Sequence, residues 1–295
     1  MSIYTGSGVA LCTPFTSDDK FNAEVYAQLV DFQIKNGTKA IVACGTTGES
    51  STLNADEYVE VVKTAVAASA GRVPVIAGAG GNNTENCVAM GKTLRTAGAD
   101  ALMYVTPYYN KTSQKGLITH YGAIAAFVDS PIIMYNVPSR TGLNMQPKTM
   151  AELAANCPNI VGVKEASSDI NQIAEIAERC GDNLDIYIGN DSEILPALAL
   201  GAKGVISTMA NIAPAAIQGI IDKFFEGDLP ESRRRQLKIL PLTRLLFKDV
   251  NPMPVKAALR LMGFDMKHCR LPLVDISDEL REELKNEMKR FGLLW

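Results

Sequence analysis

Lysine, tyrosine, threonine and arginine are the residue types whose placement in this chain could do chemistry, and Lys164 leads them. It ends the run Ile160-Val161-Gly162-Val163-Lys164, which has the apolar character of a buried strand. Side chains alternate along a strand, so Lys164 is expected to share a face with Gly162 and Ile160, and the glycine leaves room for a long side chain. An amine desolvated there is favoured in its neutral form, the nucleophile that attacks carbonyls. The bland alternative is a strand-end lysine that reaches back to solvent. Its company argues for the chemical reading. Thr46 and Thr47 lie in Gly45-Thr46-Thr47-Gly48-Glu49, and Tyr108 and Tyr109 in Thr106-Pro107-Tyr108-Tyr109-Asn110. Tyr135 opens the stretch Tyr135-Asn136-Val137-Pro138-Ser139-Arg140-Thr141-Gly142. Each ends or follows a strand-like run, and each taken singly reads as a turn or packing residue. Together they bring an amine, hydroxyls, phenols and a guanidinium to one set of strand ends, a site for an anionic carbonyl compound.

Other chemistries are poorly served. The chain has only two histidines, His120 and His268, and neither has a metal-ligand neighbour three or four residues on. No metal and no cofactor is expected. The six cysteines (Cys12, Cys44, Cys87, Cys157, Cys180, Cys269) form no C-x-x-C pair and read as buried free thiols. Gly78-Ala79-Gly80-Gly81-Asn82-Asn83 lacks the third glycine of a dinucleotide fingerprint and reads as a tight βα loop. A formal net charge of −3 argues against a nucleic-acid partner. Arg233, Arg234 and Arg235 read as a solvated helix face. No apolar run approaches the roughly 18 residues of a membrane span. No Lys or Arg precedes Lys20, so the charged start of a signal peptide is lacking and a cytoplasmic protein is expected.

The elements that must position these residues follow from the alternation of short apolar runs with amphipathic stretches. Strand-like runs fall near Val9–Leu11, Ala40–Ala43, Val73–Ala77, Ala101–Val105, Ile132–Tyr135, Ile160–Lys164, Asp185–Gly189 and Gly204–Ser207. Most are apolar without alternation, as parallel strands covered on both faces should be. Asn22 precedes a stripe of Val25, Leu29 and Phe32 that Gly37 closes, and Asn54 with Glu57 has the form of a capping box. Eight such units predict an α/β fold, a closed (β/α)8 TIM barrel, with an open doubly wound sheet as runner-up. Its catalytic domain is expected over residues 1–225. Residues 226–295 read as helices, around Glu231–Lys248, Pro254–Met262 and Ser277–Phe291, packed on the barrel as an appendage.

Gly45-Thr46-Thr47-Gly48-Glu49, the Tyr135-to-Gly142 stretch and Val163-Lys164-Glu165-Ala166 resemble the signature segments of the dihydrodipicolinate synthase family, and the resemblance covers essentially the whole chain. The wider superfamily, which includes N-acetylneuraminate lyase, shares the lysine, the tyrosine and the loop. Arg140 in its Pro-Ser-Arg-Thr-Gly setting marks the synthases. The resemblance implies that Lys164 forms a Schiff base with pyruvate, giving an enamine that adds to L-aspartate 4-semialdehyde. It implies that Tyr135 carries protons through Thr46 to Tyr109, and that Thr47 and the backbone of Ile206 hold pyruvate. Arg140 is the implied partner of the aldehyde's carboxylate. Because Tyr109 is supplied across a tight dimer interface in the family, a homodimer or homotetramer is expected.

Two alternatives stand beside this reading. A sister lyase would use the same imine with another aldehyde, and Arg140 argues against it. A non-catalytic barrel should have lost one of Lys164, Tyr135, Tyr109 or Thr46, and all are present. Family members inhibited by L-lysine carry histidines after the Gly-Thr-Thr-Gly-Glu loop and a carboxylate after the third strand. Here Ala55, Tyr58 and Asn86 stand at those places, so feedback inhibition is expected to be weak or absent.

Overall fold

The computed structural model describes residues 2–294. Eight parallel strands pair in chain order, and the eighth returns to the first to close a barrel. They are β1 Gly6–Ala10, β2 Ala40–Ala43, β3 Val75–Gly78, β4 Ala101–Val105, β5 Ile132–Asn136, β6 Ile160–Glu165, β7 Asp185–Ile188 and β8 Gly204–Ser207. The intervening helices are α1 Ala23–Lys35, α2 Ala55–Ser69, α3 Thr84–Thr96, α4 Gln114–Phe127, the short α5 Pro138–Thr141, α6 Pro147–Asn156, α7 Ile170–Cys180, α8 Ile194–Ala199 and α9 Pro214–Phe225. Three more helices follow without further strands: α10 Leu229–Leu246, α11 Met253–Leu261 and α12 Asp278–Phe291. The expected (β/α)8 barrel with a helical C-terminus is what forms. The capping signals hold as well. Asn22 caps α1, and Asn54 and Glu57 exchange the two bonds of a capping box at α2.

Period-two alternation sorts the strand residues into two cores. Val9, Ile41, Ala77, Leu102, Met134, Val163 and Val205 point outward into the layer beneath the helices. Ala10, Val42, Ile76, Met103, Ile133, Tyr135, Tyr187 and Ile206 fill the barrel interior. At the N-terminal end of the strands Tyr4 stacks on Tyr187 with ring centroids 4.4 Å apart, and Tyr187 Oη donates to the Tyr4 carbonyl at 2.9 Å. This pair floors the barrel. All six cysteines are free, five of them buried. No helix among the described residues is long and apolar enough to cross a membrane.

One irregularity bears on the site. Along β5 and β6 the register runs Ile132 opposite Ile160 but Ile133 opposite Gly162, so Val161 is an extra residue on β6. Strict alternation would place Ile160 on the face of Gly162 and Lys164; the bulge resets the phase, and Ile160 joins the outer core instead. The same extra residue brings Lys164, rather than Val163, opposite Tyr135.

Candidate active site

Lys164 lies inside the barrel near the C-terminal end of β6, with only 6% of its surface exposed. It is paired with Tyr135 on one side and Tyr187 on the other. Its Nζ sits 4.4 Å from the centroid of the Tyr135 ring. The room for its stem does not come from Gly162, where an added Cβ would meet the Asp185 carbonyl at 3.1 Å and the Tyr187 ring at 3.3 Å. It comes from Gly189, just after β7, where an added Cβ would meet Lys164 Cε at 3.2 Å. Beyond that glycine lies Asp191, almost wholly buried, whose Oδ2 accepts from the backbone N–H groups of Thr208 (3.2 Å) and Met209 (2.9 Å). Burial pushes the Asp191 carboxyl above the usual carboxylate range, against the pull of these hydrogen bonds and of the Lys164 charge.

The loop after β2 is a tight turn held by its own backbone, with Gly48 N–H on the Gly45 carbonyl and Glu49 N–H on the Thr46 carbonyl. Thr46 and Tyr135 face one small cavity of about 40 Å³, walled also by Tyr58 and Met103. Thr47 is buried, with Oγ1 3.4 Å from Thr208 Oγ1. Glu49 adopts a left-handed backbone conformation (φ 53°) and turns its carboxylate inward, where it meets Lys256 Nζ at 2.6 Å and accepts from Arg270 N–H at 2.8 Å. Both members of the Glu49–Lys256 pair are buried, and Lys256 Nζ lies 4.5 Å over the Phe15 ring. The helical C-terminus therefore grips the loop that carries Thr46 and Thr47.

Arg140 stands exposed on α5, a single turn that Gly142 ends in the left-handed region (φ 67°). Its Nη2 donates to the Asn251 carbonyl at 3.2 Å. The loop beneath it is braced by Glu165, which points outward from β6 and accepts from Asn136 Nδ2 (3.0 Å), Gln172 Nε2 (3.0 Å) and Ser167 N–H (2.6 Å). Burial raises the Glu165 carboxyl above its ordinary value, and these donors hold it back. Asn136 Oδ1 in turn accepts from Met145 N–H at 2.9 Å, which ties the end of β5 to the segment after Arg140.

The structure thus gathers Lys164, Tyr135, Thr46, Thr47 and the fully buried Ile206 at one mouth, with Arg140 at its rim. It does not bring Tyr109 there. Tyr109 is 92% exposed, with φ at 67°, and is not among the residues that line the cavity at Thr46 and Tyr135. Sequence reasoning does not reach Asn251, Lys256, Asp191 or Thr208. Asn251-Pro252 carries a turn signal, but nothing local says which residues a turn will touch. Chemically, the mouth holds a buried amine, a phenol in contact with it, hydroxyl donors and a cation at the edge, the groups needed to hold a carboxylate beside a carbonyl under attack.

The sequence model of the dihydrodipicolinate synthetase family matches residues 4–291. A 4-hydroxy-tetrahydrodipicolinate synthase from Lachnoclostridium phytofermentans is 50% identical over 294 residues, covering 100% of both chains. Among solved structures, a dihydrodipicolinate synthase from Thermotoga maritima superposes with a TM-score of 0.97 at 42% identity, over 99% of this chain and 100% of that one. Another, from Acinetobacter baumannii and complexed with pyruvate, superposes with a TM-score of 0.96 at 40% identity, over 98% and 99%.

Proposed function

We propose, because the chain belongs to the dihydrodipicolinate synthetase family, that Lys164 is the nucleophile of its reaction. The enzyme is a lyase of that type, and the reaction is the pyruvate-dependent Schiff-base condensation of lysine and diaminopimelate biosynthesis. Its second substrate, in our reading, is L-aspartate 4-semialdehyde. The observation that carries the assignment is the Lys164 amine, buried at the mouth of the barrel against the Tyr135 ring.

The neutral amine of Lys164 attacks the keto carbon of pyruvate, and water leaves as the imine forms. Loss of a methyl proton gives the enamine, whose carbon adds to the aldehyde. The amino group of the adduct then attacks the imine carbon, closing the ring and expelling the Lys164 amine. Every step moves a proton, and Tyr135 is the group placed to carry it, with Thr46 on the same cavity. Thr47, with nearby backbone N–H groups, takes the pyruvate carboxylate, and the backbone at Ile206 makes a further pyruvate contact. Arg140, on the rim, takes the carboxylate of the aldehyde, to which a planar guanidinium is suited.

Tyr109 completes the relay in a second copy of the chain. Its exposure supports this, since a phenol 92% open to solvent is free to meet a second copy. The working form is then a homodimer, or a homotetramer of two such dimers, acting in the cytoplasm. Residues 1–225 form the catalytic barrel and residues 226–295 the helical region docked on it.

Borohydride reduction in the presence of pyruvate tests the assignment. Mass spectrometry should find the reduced adduct on the peptide containing Lys164. An adduct on a different lysine overturns it.

A further inference from the structure

The loop between α10 and α11 brings Asn251 between two groups that the proposed function gives to different substrates. Its Nδ2 donates to Thr47 Oγ1 at 2.9 Å, and its backbone carbonyl accepts from Arg140 Nη2 at 3.2 Å. Asn251 is 6% exposed, and its Oδ1 has no hydrogen-bond partner among the described residues. The residue is held in place from both sides of its loop: Lys256, one turn into α11, is fixed on Glu49, and Met253 N–H bonds the Val250 carbonyl at 2.9 Å.

A primary amide nitrogen only donates, whereas a hydroxyl has one hydrogen and two lone pairs. Thr47 Oγ1 must therefore accept from Asn251, and its single hydrogen is left to donate elsewhere. The protein oxygen in reach is Thr208 Oγ1, at a long 3.4 Å. A carboxylate is the better acceptor. We propose that Asn251 is a positioning residue for both carboxylates. Its side chain presets the Thr47 hydroxyl as a donor toward pyruvate, and its main chain aims the Arg140 guanidinium at the second substrate. The inference rests on the roles proposed above for Thr47 and Arg140.

The two arms separate cleanly, because every variant keeps the backbone carbonyl. Asn251→Asp replaces the donor with an acceptor, which draws the Thr47 hydrogen to itself and adds negative charge beside the pyruvate carboxylate. In the full-length enzyme the half-saturating pyruvate concentration for borohydride trapping on Lys164 should rise about tenfold or more, the scale of a hydrogen bond to a charged group. The KM for the aldehyde should stay close to that of the wild type. Asn251→Ala should move the pyruvate value in the same direction by less, and serves alone if the Asp variant does not fold. Combined with Thr47→Val, it should add nothing to the loss that Thr47→Val causes by itself, because the side chain acts through that hydroxyl.

If the wild type shows no adduct on Lys164, the proposed function fails. If the wild type is trapped there but the variants bind pyruvate as it does, only this inference fails, since Thr47 would then donate to residue 251. An equal rise for both substrates would likewise overturn it, because that is the signature of a loosened loop.

Discussion

An amine that attacks a carbonyl needs dry surroundings and a neighbour able to carry protons, and Lys164 has both in the barrel wall and Tyr135. Lys164→Ala should lower turnover by several orders of magnitude while leaving the fold intact, as steady-state rates beside a circular dichroism spectrum will check. Arg140 is different in kind. It stands exposed at the rim, so its removal breaks a hydrogen bond to a charged group without stranding a buried ion. Arg140→Ala should cost the aldehyde about 1.5–3 kcal/mol, roughly tenfold to a hundredfold in KM, and leave pyruvate trapping unchanged. An equal loss for both substrates would show that Arg140 shapes the site as a whole. Both residues could be picked out of the sequence because strand ends are visible there. Asn251 could not, since its two partners lie 111 and 204 residues away.

At the scale of elements, the eight runs of apolar residues locate the strands to within a few positions, because a strand buried on both faces is mostly apolar along its length. The bulge at Val161 escapes the sequence. An extra residue between two apolar neighbours changes no composition, only a phase. The grip of α11 on the β2 loop is equally hidden, and it is testable. Lys256→Met leaves Glu49 buried without its cation and should destabilise the protein by about 3–5 kcal/mol. Adding Glu49→Gln should recover part of the lost stability in urea unfolding. On the far side of the same loop, Tyr58 of α2 and Asn86 of α3 line a cavity of about 190 Å³ with Asn82 and Tyr108. Glu85, the nearest carboxylate in sequence, is exposed and absent from its lining. A cavity without a carboxylate holds an ammonium poorly. Titrating the initial rate with L-lysine should give half-inhibition above about 1 mM, weaker than about −4 kcal/mol of binding; a lower value would reveal another ammonium site.

For the whole molecule, the single chain holds every proposed group at one mouth except Tyr109, and residue spacing alone, without the family resemblance, does not say where that exposed phenol ends up. Mixing supplies the answer. Lys164→Ala and Tyr109→Phe should each be impaired alone, yet subunits exchanged between them should regain activity, because a mixed dimer contains one site with both groups intact. No recovery after confirmed exchange would confine Tyr109 to its own chain.

The Glu49–Lys256 pair joins residues 207 positions apart. A nascent chain emerges from the ribosome N-terminus first, so Glu49 appears early and its cation near the end. For most of its synthesis the chain carries a carboxylate destined for burial without its Lys256 partner, and the loop bearing Thr46 and Thr47 lacks its clasp from α11. A ribosome stalled near residue 248 would display all eight strands and Lys164, yet neither Asn251, which bonds Thr47 and Arg140, nor Lys256. The contacts of Asn251 and Lys256 with the mouth therefore join it last.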